Sequence, residues 1–180
     1  MEEKEPTIIE LDIMKIAKVN FWLTASLSIL FLALNSIAHH QFRFEITFWN
    51  FMLFLAGYFA LIVLHELFHL IGFVIFGKAK WKQLDYGINA KLGVAYATTK
   101  KPLPNHAMKK ALMLPFWTTG MIPAVMGLIF NNQLVLLLGA FLIAGAIGDF
   151  YMYKELRKFP NDALVKDDPQ LPKLYVYPKE

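Results

Sequence analysis

Two histidines and a glutamate stand at a spacing that is typical of catalytic zinc sites. The run His65-Glu66-Leu67-Phe68-His69 matches the pattern H-E-x-x-H. Four residues of helix turn the chain by about 400°, so His65 and His69 lie on one face and can bind the same Zn²⁺ ion. Glu66 follows the first histidine, where it could take a proton from metal-bound water and deliver it to a leaving amine. The motif therefore predicts a metal-dependent hydrolase with Glu66 as general acid/base.

A catalytic zinc site usually has three protein ligands and one open position. The chain has no cysteine, so histidine and carboxylate must hold any metal. Asp149 is the only formally charged residue between Ala111 and Tyr153, and we therefore predict it as the third ligand. The alternative is an interfacial carboxylate with ordinary hydrogen bonds.

The elements that carry these residues are too apolar for an ordinary soluble domain. Hydrophobic residues make up 57% of the 180 residues and charged residues only 18%, below the roughly 25% usual for soluble domains. A membrane-spanning helix needs about 20 mostly apolar residues. Four stretches of the sequence satisfy this requirement, and the predicted spans are 19–38, 48–76, 112–130 and 134–153, the last two divided by Asn131-Asn132-Gln133.

The membrane setting strengthens the metal prediction. The alternative for His65 and His69 is a pair of hydrogen-bonded packing histidines, with Glu66 as a packing acid. However, Glu66 is the sole formal charge between Ile46 and Gly77, and a charge near the bilayer centre costs about 2.5–3.5 kcal/mol. A bound cation would offset this cost. At about 1.5 Å per helical residue, His69 lies some 14 Å from Lys78 and Asp149 some 8 Å from Lys154, which predicts similar depths.

The basic residues predict how the spans are oriented. Seventeen of the 18 lysines and arginines lie before span one, between spans two and three, or after span four, and Arg43 alone lies opposite. Because basic residues favour the cytosolic side, both termini are predicted to be cytosolic in a multi-pass protein of the cell membrane. This asymmetry accounts for the net charge of +4, so membrane lipid is a predicted partner and nucleic acid is not.

The predicted fold class is all-α integral membrane, with four transmembrane helices in a single domain over residues 1–180. Period-two alternation on both sides of Asn89-Ala90 predicts a small cytosolic β-hairpin at 81–99, between spans two and three. Asn105 is a candidate helix cap before the third span. The tail 154–180 is predicted to be cytosolic and irregular. Gly145 and Gly148 are expected to let the fourth helix approach the second closely.

These features together resemble a known family. The quoted residues are the H-E-x-x-H run, the hairpin, Lys101-Pro102-Leu103, Leu114-Pro115 and Gly148-Asp149-Phe150. From about Phe48 to Tyr177 the chain resembles the small bacterial membrane family described as putative zincin peptidases, which is related in layout to site-2 proteases. The resemblance implies cleavage of a peptide or membrane-protein substrate within or beside the membrane. It also gives Asp149 the role of the aspartate that is the third zinc ligand in site-2 proteases.

The leading hypothesis from the sequence is a zinc-dependent intramembrane endopeptidase that acts in the cytosolic half of the bilayer. Two other functions stay open at this stage. One is a zinc hydrolase that acts on a lipid or a small amide. The other is a non-catalytic membrane protein whose helices are held together by the metal.

Overall fold

The computed structural model of the chain describes residues 5–41, 47–89, 94–168 and 171–177. The described residues are mostly helical, with two small antiparallel sheets. Ala90 of the predicted hairpin turn, and Arg43, predicted to lie opposite the other basic residues, are outside these ranges.

Among the described residues, four helical stretches are long and apolar enough to cross a membrane: Ile13–His39, Phe48–Ile75, Asn105–Ile129 and Gln133–Leu156. Each overlaps one predicted span, so the number and order of the long apolar helices are confirmed. The first is α1 (Ile13–His39) and the second is α2 (Phe48–Ile75). The third contains α3 (Asn105–Pro115), a π-helical turn (Phe116–Met121) and α4 (Ile122–Ile129). The fourth contains α5 (Gln133–Gly145) and α6 (Ile147–Leu156).

Local sequence explains the interruptions in the last two stretches. The π-helical turn lies between Pro115 and Pro123. Pro123 has no N–H to donate to a carbonyl of the turn before it, so the regular helical hydrogen-bond pattern is interrupted there. Between the third and fourth stretches Asn131 has a φ of 52°. Asn132 then caps α5, because its side chain accepts a hydrogen bond from the backbone N–H of Val135 at 3.1 Å.

The predicted hairpin is confirmed as β2 (Leu84–Asn89) paired with β3 (Val94–Thr99), in a register that places Leu84 opposite Thr99. A second sheet has four strands in the order β1-β6-β5-β4. Its strands are β1 (Thr7–Glu10), β4 (Leu103–Pro104), β5 (Leu164–Asp167) and β6 (Lys173–Tyr177). The prediction that the tail is irregular was therefore wrong, because β5 and β6 lie in it. The predicted all-α fold class also omitted this sheet. In β6, Leu174 and Val176 are buried at alternate positions, so the apolar alternation marks a strand with one buried face.

The chain divides into two compact units. The first comprises the residues up to Asp12, Glu66–Pro115 and the residues from Gly148 onward, and the second comprises Ile13–His65 and Phe116–Ile147. The core of the first unit includes Phe73, Leu103, Met108, Leu156 and Val176, each at most 2% exposed. Parts of α2, α3 and α6 and the four-stranded sheet thus share one apolar core.

Asn105 ties the start of α3 to the end of α6 within the first unit. Its side-chain amide donates hydrogen bonds to the carbonyls of Leu156 at 2.9 Å, Phe159 at 3.0 Å and Pro160 at 2.9 Å. The helix begins at Asn105 as predicted. The side chain, however, bonds to carbonyls of another element, those of Leu156 at the end of α6 and of Phe159 and Pro160 just after it.

Close helix packing depends on glycines other than the predicted pair. Among the described residues, a Cβ at Gly145 would meet no atom within 4 Å, and one at Gly148 would meet only Leu11 Cδ1 at 3.5 Å, so that prediction is wrong. In the first unit a Cβ at Gly72 would lie 2.8 Å from Ala111 Cα. In the second unit a Cβ at Gly139 would lie 2.4 Å from the backbone nitrogen of Ala124. The absence of a side chain at Gly72 and Gly139 is what allows these helices to touch.

Candidate metal centre

Both histidines of the H-E-x-x-H run lie on α2, within an otherwise apolar stretch of the helix. His65 is 9% exposed and His69 is 6% exposed. The boundary between the two units falls between His65 and Glu66, but the helix is continuous there, so helical geometry alone places the rings on one face. A buried histidine pair of this kind needs polar partners, because an unpaired buried polar group is costly.

His69 is oriented by a backbone carbonyl of α3. Its Nδ1 lies 3.2 Å from the carbonyl oxygen of Ala111, and because a carbonyl can only accept, Nδ1 carries the proton. In the neutral ring the lone pair is then on Nε2. Gly72, one turn further along α2, lets α3 come close enough for this contact. His69 therefore directs Nε2, the nitrogen that a metal would bind, away from Ala111.

Asp149 meets that nitrogen. It lies in the first turn of α6, where the positive end of the helix dipole favours a carboxylate. Its Oδ1 is 3.5 Å from His69 Nε2, and its side chain is 17% exposed. Asp149 and His69 are 80 positions apart in the sequence, and the fold of the first unit brings them together.

His65 has its own partner within the second unit. Its Nδ1 lies 3.2 Å from the hydroxyl oxygen of Thr119, which is in the π-helical turn and only 1% exposed. Because Nδ1 is engaged, Nε2 of His65 is the nitrogen available to a metal.

The three predicted ligands can hold a metal together. One ligand atom from each of His65, His69 and Asp149 lies within 4.8 Å of the others. Tetrahedral zinc with bonds of about 2.1 Å separates neighbouring ligand atoms by about 3.4 Å. The 3.5 Å between His69 Nε2 and Asp149 Oδ1 matches that edge. Two imidazoles and one carboxylate are also a donor set found in catalytic zinc sites.

A family comparison agrees with this geometry. The model of the family described as "putative zincin peptidase" matches residues 58–164, which is more than half of the 180-residue chain. The chain belongs to this family. The description indicates a zinc metallopeptidase, and the matched segment of this zincin-family chain contains both histidines, Glu66 and Asp149. Comparison with curated proteins and with solved structures gives no significant match.

The structure also places the predicted general acid/base and two further histidines of this zincin-family protein. Glu66 is partly buried on α2, next to His65. His39 Nε2 lies 2.7 Å from the Leu128 carbonyl oxygen, and His106 Nδ1 lies 3.0 Å from the Asn161 carbonyl oxygen. Within the described ranges, His65, His69 and Asp149 form the single group of three or more potential metal ligands.

Sequence reasoning missed Asp167 at the end of β5. Its carboxylate accepts a hydrogen bond from the Thr98 side chain, and it interacts electrostatically with His69. Loss of surrounding water raises the pKa of Asp167 to about 7, although Thr98 and His69 both act to lower it. The tail does alternate at Leu174-Tyr175-Val176-Tyr177, but that run forms β6, and no sequence pattern placed β5 beside the hairpin.

Proposed function

We propose that this protein is a zinc-dependent intramembrane endopeptidase that hydrolyses peptide bonds in or beside the cytosolic half of the cell membrane. His65, His69 and Asp149 hold the metal through two imidazole nitrogens and one carboxylate oxygen. Bound zinc would lower the pKa of a coordinated water to about 7 and so supply the nucleophile. The observation that carries the proposal is the clustering of these three ligand atoms within 4.8 Å, together with membership of a zincin family.

Glu66 is the general acid/base in this proposal. It directly follows a metal ligand on α2 and is partly buried. There it receives the proton of the attacking water and delivers it to the leaving amine. The orienting contacts at Nδ1 of both histidines keep their Nε2 atoms directed at the metal.

The membrane location is supported by the helices and by the four-stranded sheet. On α2, Phe59 is 65% exposed and Val63 is 67% exposed, which suits a helix surrounded by lipid. β1 precedes the first long helix and β6 follows the last, and the two strands are hydrogen-bonded. They must therefore lie on one side of any membrane that the chain crosses, as an even number of spans requires. The distribution of basic residues favours the cytosol for that side.

The first experiment measures metal in purified protein by mass spectrometry. Wild type should hold about one zinc per chain, and His65→Ala and Asp149→Ala should lose most of it. His106→Ala is the matched control, because that exposed histidine hydrogen-bonds the Asn161 carbonyl and is not one of the three proposed ligands. An unchanged zinc content in Asp149→Ala would refute the proposed site.

The second experiment tests the chemistry in vesicles of defined lipid, with a panel of single-span membrane proteins and peptides as substrates. Glu66→Gln should keep its zinc and lose activity by about 10²–10⁴-fold. Glu10→Gln is the control, because Glu10 is exposed and pairs with Lys173. Full turnover by Glu66→Gln would remove that residue from the mechanism.

The same assays separate the alternatives. Hydrolysis of lipids or small amides, with no cleavage of any peptide, would indicate a zinc hydrolase of another class. A metal that a hydroxamate inhibitor cannot reach would indicate a closed structural site, because a catalytic site keeps one position open.

A further inference from the structure

The two metal-binding histidines are oriented by different kinds of partner. His69 Nδ1 meets a backbone carbonyl, that of Ala111, which any residue at that position would supply. His65 Nδ1 meets a side chain, the hydroxyl of Thr119, at 3.2 Å. Only the second contact depends on the identity of a residue, and it can therefore be removed by a single substitution.

We propose that Thr119 is a positioning residue for the metal centre, a proposal that rests on the function proposed above. When its hydroxyl oxygen accepts the Nδ1–H of His65, the lone pair of that ring is on Nε2, the nitrogen that would bind the metal. A neutral imidazole has one N–H, so an acceptor at one nitrogen selects the tautomer that leaves the other nitrogen free. Thr119 acts through His65.

The local backbone explains why Thr119 can reach the histidine. The π-helical turn at Phe116–Met121 follows Pro115, and it contains Thr119 and Gly120 as fully buried residues. A π-helical turn adds one residue to the helix and so shifts the faces that the flanking residues present. At Gly120 a Cβ would lie 2.9 Å from Ile143 Cγ1 and 3.2 Å from its backbone nitrogen. The tight packing of Gly120 against α5 fixes the position of the neighbouring Thr119.

Burial makes the contact energetically important. Thr119 is 1% exposed and His65 is 9% exposed, so bulk water cannot readily replace a lost hydroxyl. Without an acceptor at Nδ1, the His65 ring can rotate or adopt the other tautomer, in which Nε2 carries the proton and cannot bind a metal. Loss of an orienting partner of a zinc-binding histidine typically weakens metal binding by about 10–100-fold.

The test measures zinc affinity of the full chain in detergent, by competition with a chelator of known affinity. Thr119→Val keeps the shape of the side chain but removes the hydroxyl, and Thr119→Ser keeps the hydroxyl. The control is Thr24→Val, the same change in a helix of the same unit, where the hydroxyl donates to Asn20 Oδ1 at 3.3 Å. Thr119→Val should bind zinc about 10–100-fold more weakly, while Thr119→Ser and Thr24→Val stay within about 3-fold of wild type.

A second readout separates positioning from packing. The visible absorption of bound Co²⁺ reports the ligand geometry, so it should change in Thr119→Val and be restored in Thr119→Ser. If Thr119→Val does not fold, Thr119→Ala removes the same hydroxyl, and the same result is expected.

Wild-type affinity in a folded hydroxyl-free variant would overturn the proposal. Equal losses in the valine and serine variants would also overturn it, because they would show that the methyl group or the packing matters and the hydroxyl does not. Wild-type protein that binds no zinc would refute the proposed function itself, and this outcome is distinct from the other two.

Discussion

Replacing Gly72 by alanine should weaken zinc binding without touching a ligand. An added Cβ would lie 2.8 Å from Ala111 Cα and 2.9 Å from Ala111 Cβ. Carbon atoms in contact are ordinarily about 3.5–4.0 Å apart, so α2 and α3 must separate locally by about 0.7–1.2 Å. The two atoms that clash belong to the residue whose carbonyl orients His69 at 3.2 Å. A separation of that size takes this contact beyond the roughly 3.6 Å at which a hydrogen bond is lost.

Two effects follow and they can be measured separately. Overpacking should cost about 1–3 kcal/mol of unfolding free energy, partly offset by the gain of up to about 1 kcal/mol from alanine in a helix. The loss of the His69 contact should weaken zinc binding by about 10–100-fold, or about 1.4–2.7 kcal/mol. The affinity change should therefore be clear even where the net change in stability is small.

Gly145→Ala is the matched control, because among the described residues a Cβ there meets nothing within 4 Å. It should leave zinc affinity unchanged and raise the thermal midpoint slightly. Competition with a chelator gives the affinity, and thermal unfolding in detergent gives the stability. Wild-type affinity in Gly72→Ala, or an equal loss in Gly145→Ala, would show that close approach of α3 does not orient His69.

Two further predictions concern the first unit. Asn105→Asp should cost at least about 3 kcal/mol of unfolding free energy, because a carboxylate would face three carbonyls that now accept from the amide. Thermal unfolding measures this loss. The control is Asn161→Asp, which should change stability little, because Asn161 is exposed and its Oδ1 accepts from Lys109. Burial raises the folded-state pKa of Asp167 to about 7, above the roughly 3.9 of an unfolded aspartate. Between these two pH values the Asp167 carboxyl is protonated in the folded metal-free protein but ionised in the unfolded chain. The stability of the folded state should therefore fall as pH rises from about 4 to about 7. Asp167→Asn should raise the thermal midpoint at pH 7.5 but not at pH 4, and an equal change at both pH values would assign the effect to contacts and not to titration.

The sequence was most informative where one strong physical constraint acts. Lipid requires long apolar helices, and the four predicted spans each overlap a helical stretch. A metal requires ligands of fixed type and spacing, so His65 and His69 could be named from a five-residue pattern. Asp149 could be named because it was the one formal charge in a long apolar region.

The residues around the candidate ligands could not be predicted, because no fixed residue type or spacing marks them in the sequence. Thr119 is one of many hydroxyl residues, and its position depends on a π-helical turn that proline alone does not specify. The partner of His69 is a backbone carbonyl, which carries no sequence signal. Gly145 and Gly148 stand beside Asp149 in the sequence, whereas close approach is decided by which residue lies opposite each glycine. Gly72 faces Ala111, and no pattern in α2 reports this.

The order of strands in the four-stranded sheet has a consequence for biosynthesis. β6 lies between β1 and β5, and Ile8 pairs with Tyr175, which is 167 positions later. A ribosome releases the chain from its N-terminal end, so β1 is synthesised before the four long helices and remains unpaired until β6 has been made after them. Pairings this distant in sequence form late, and until then the unpaired edge of β1 is open to other chains. Synthesis of β6 thus completes the sheet, and a ribosome that stalls before residue 173 would leave β1 exposed to chaperones and proteases.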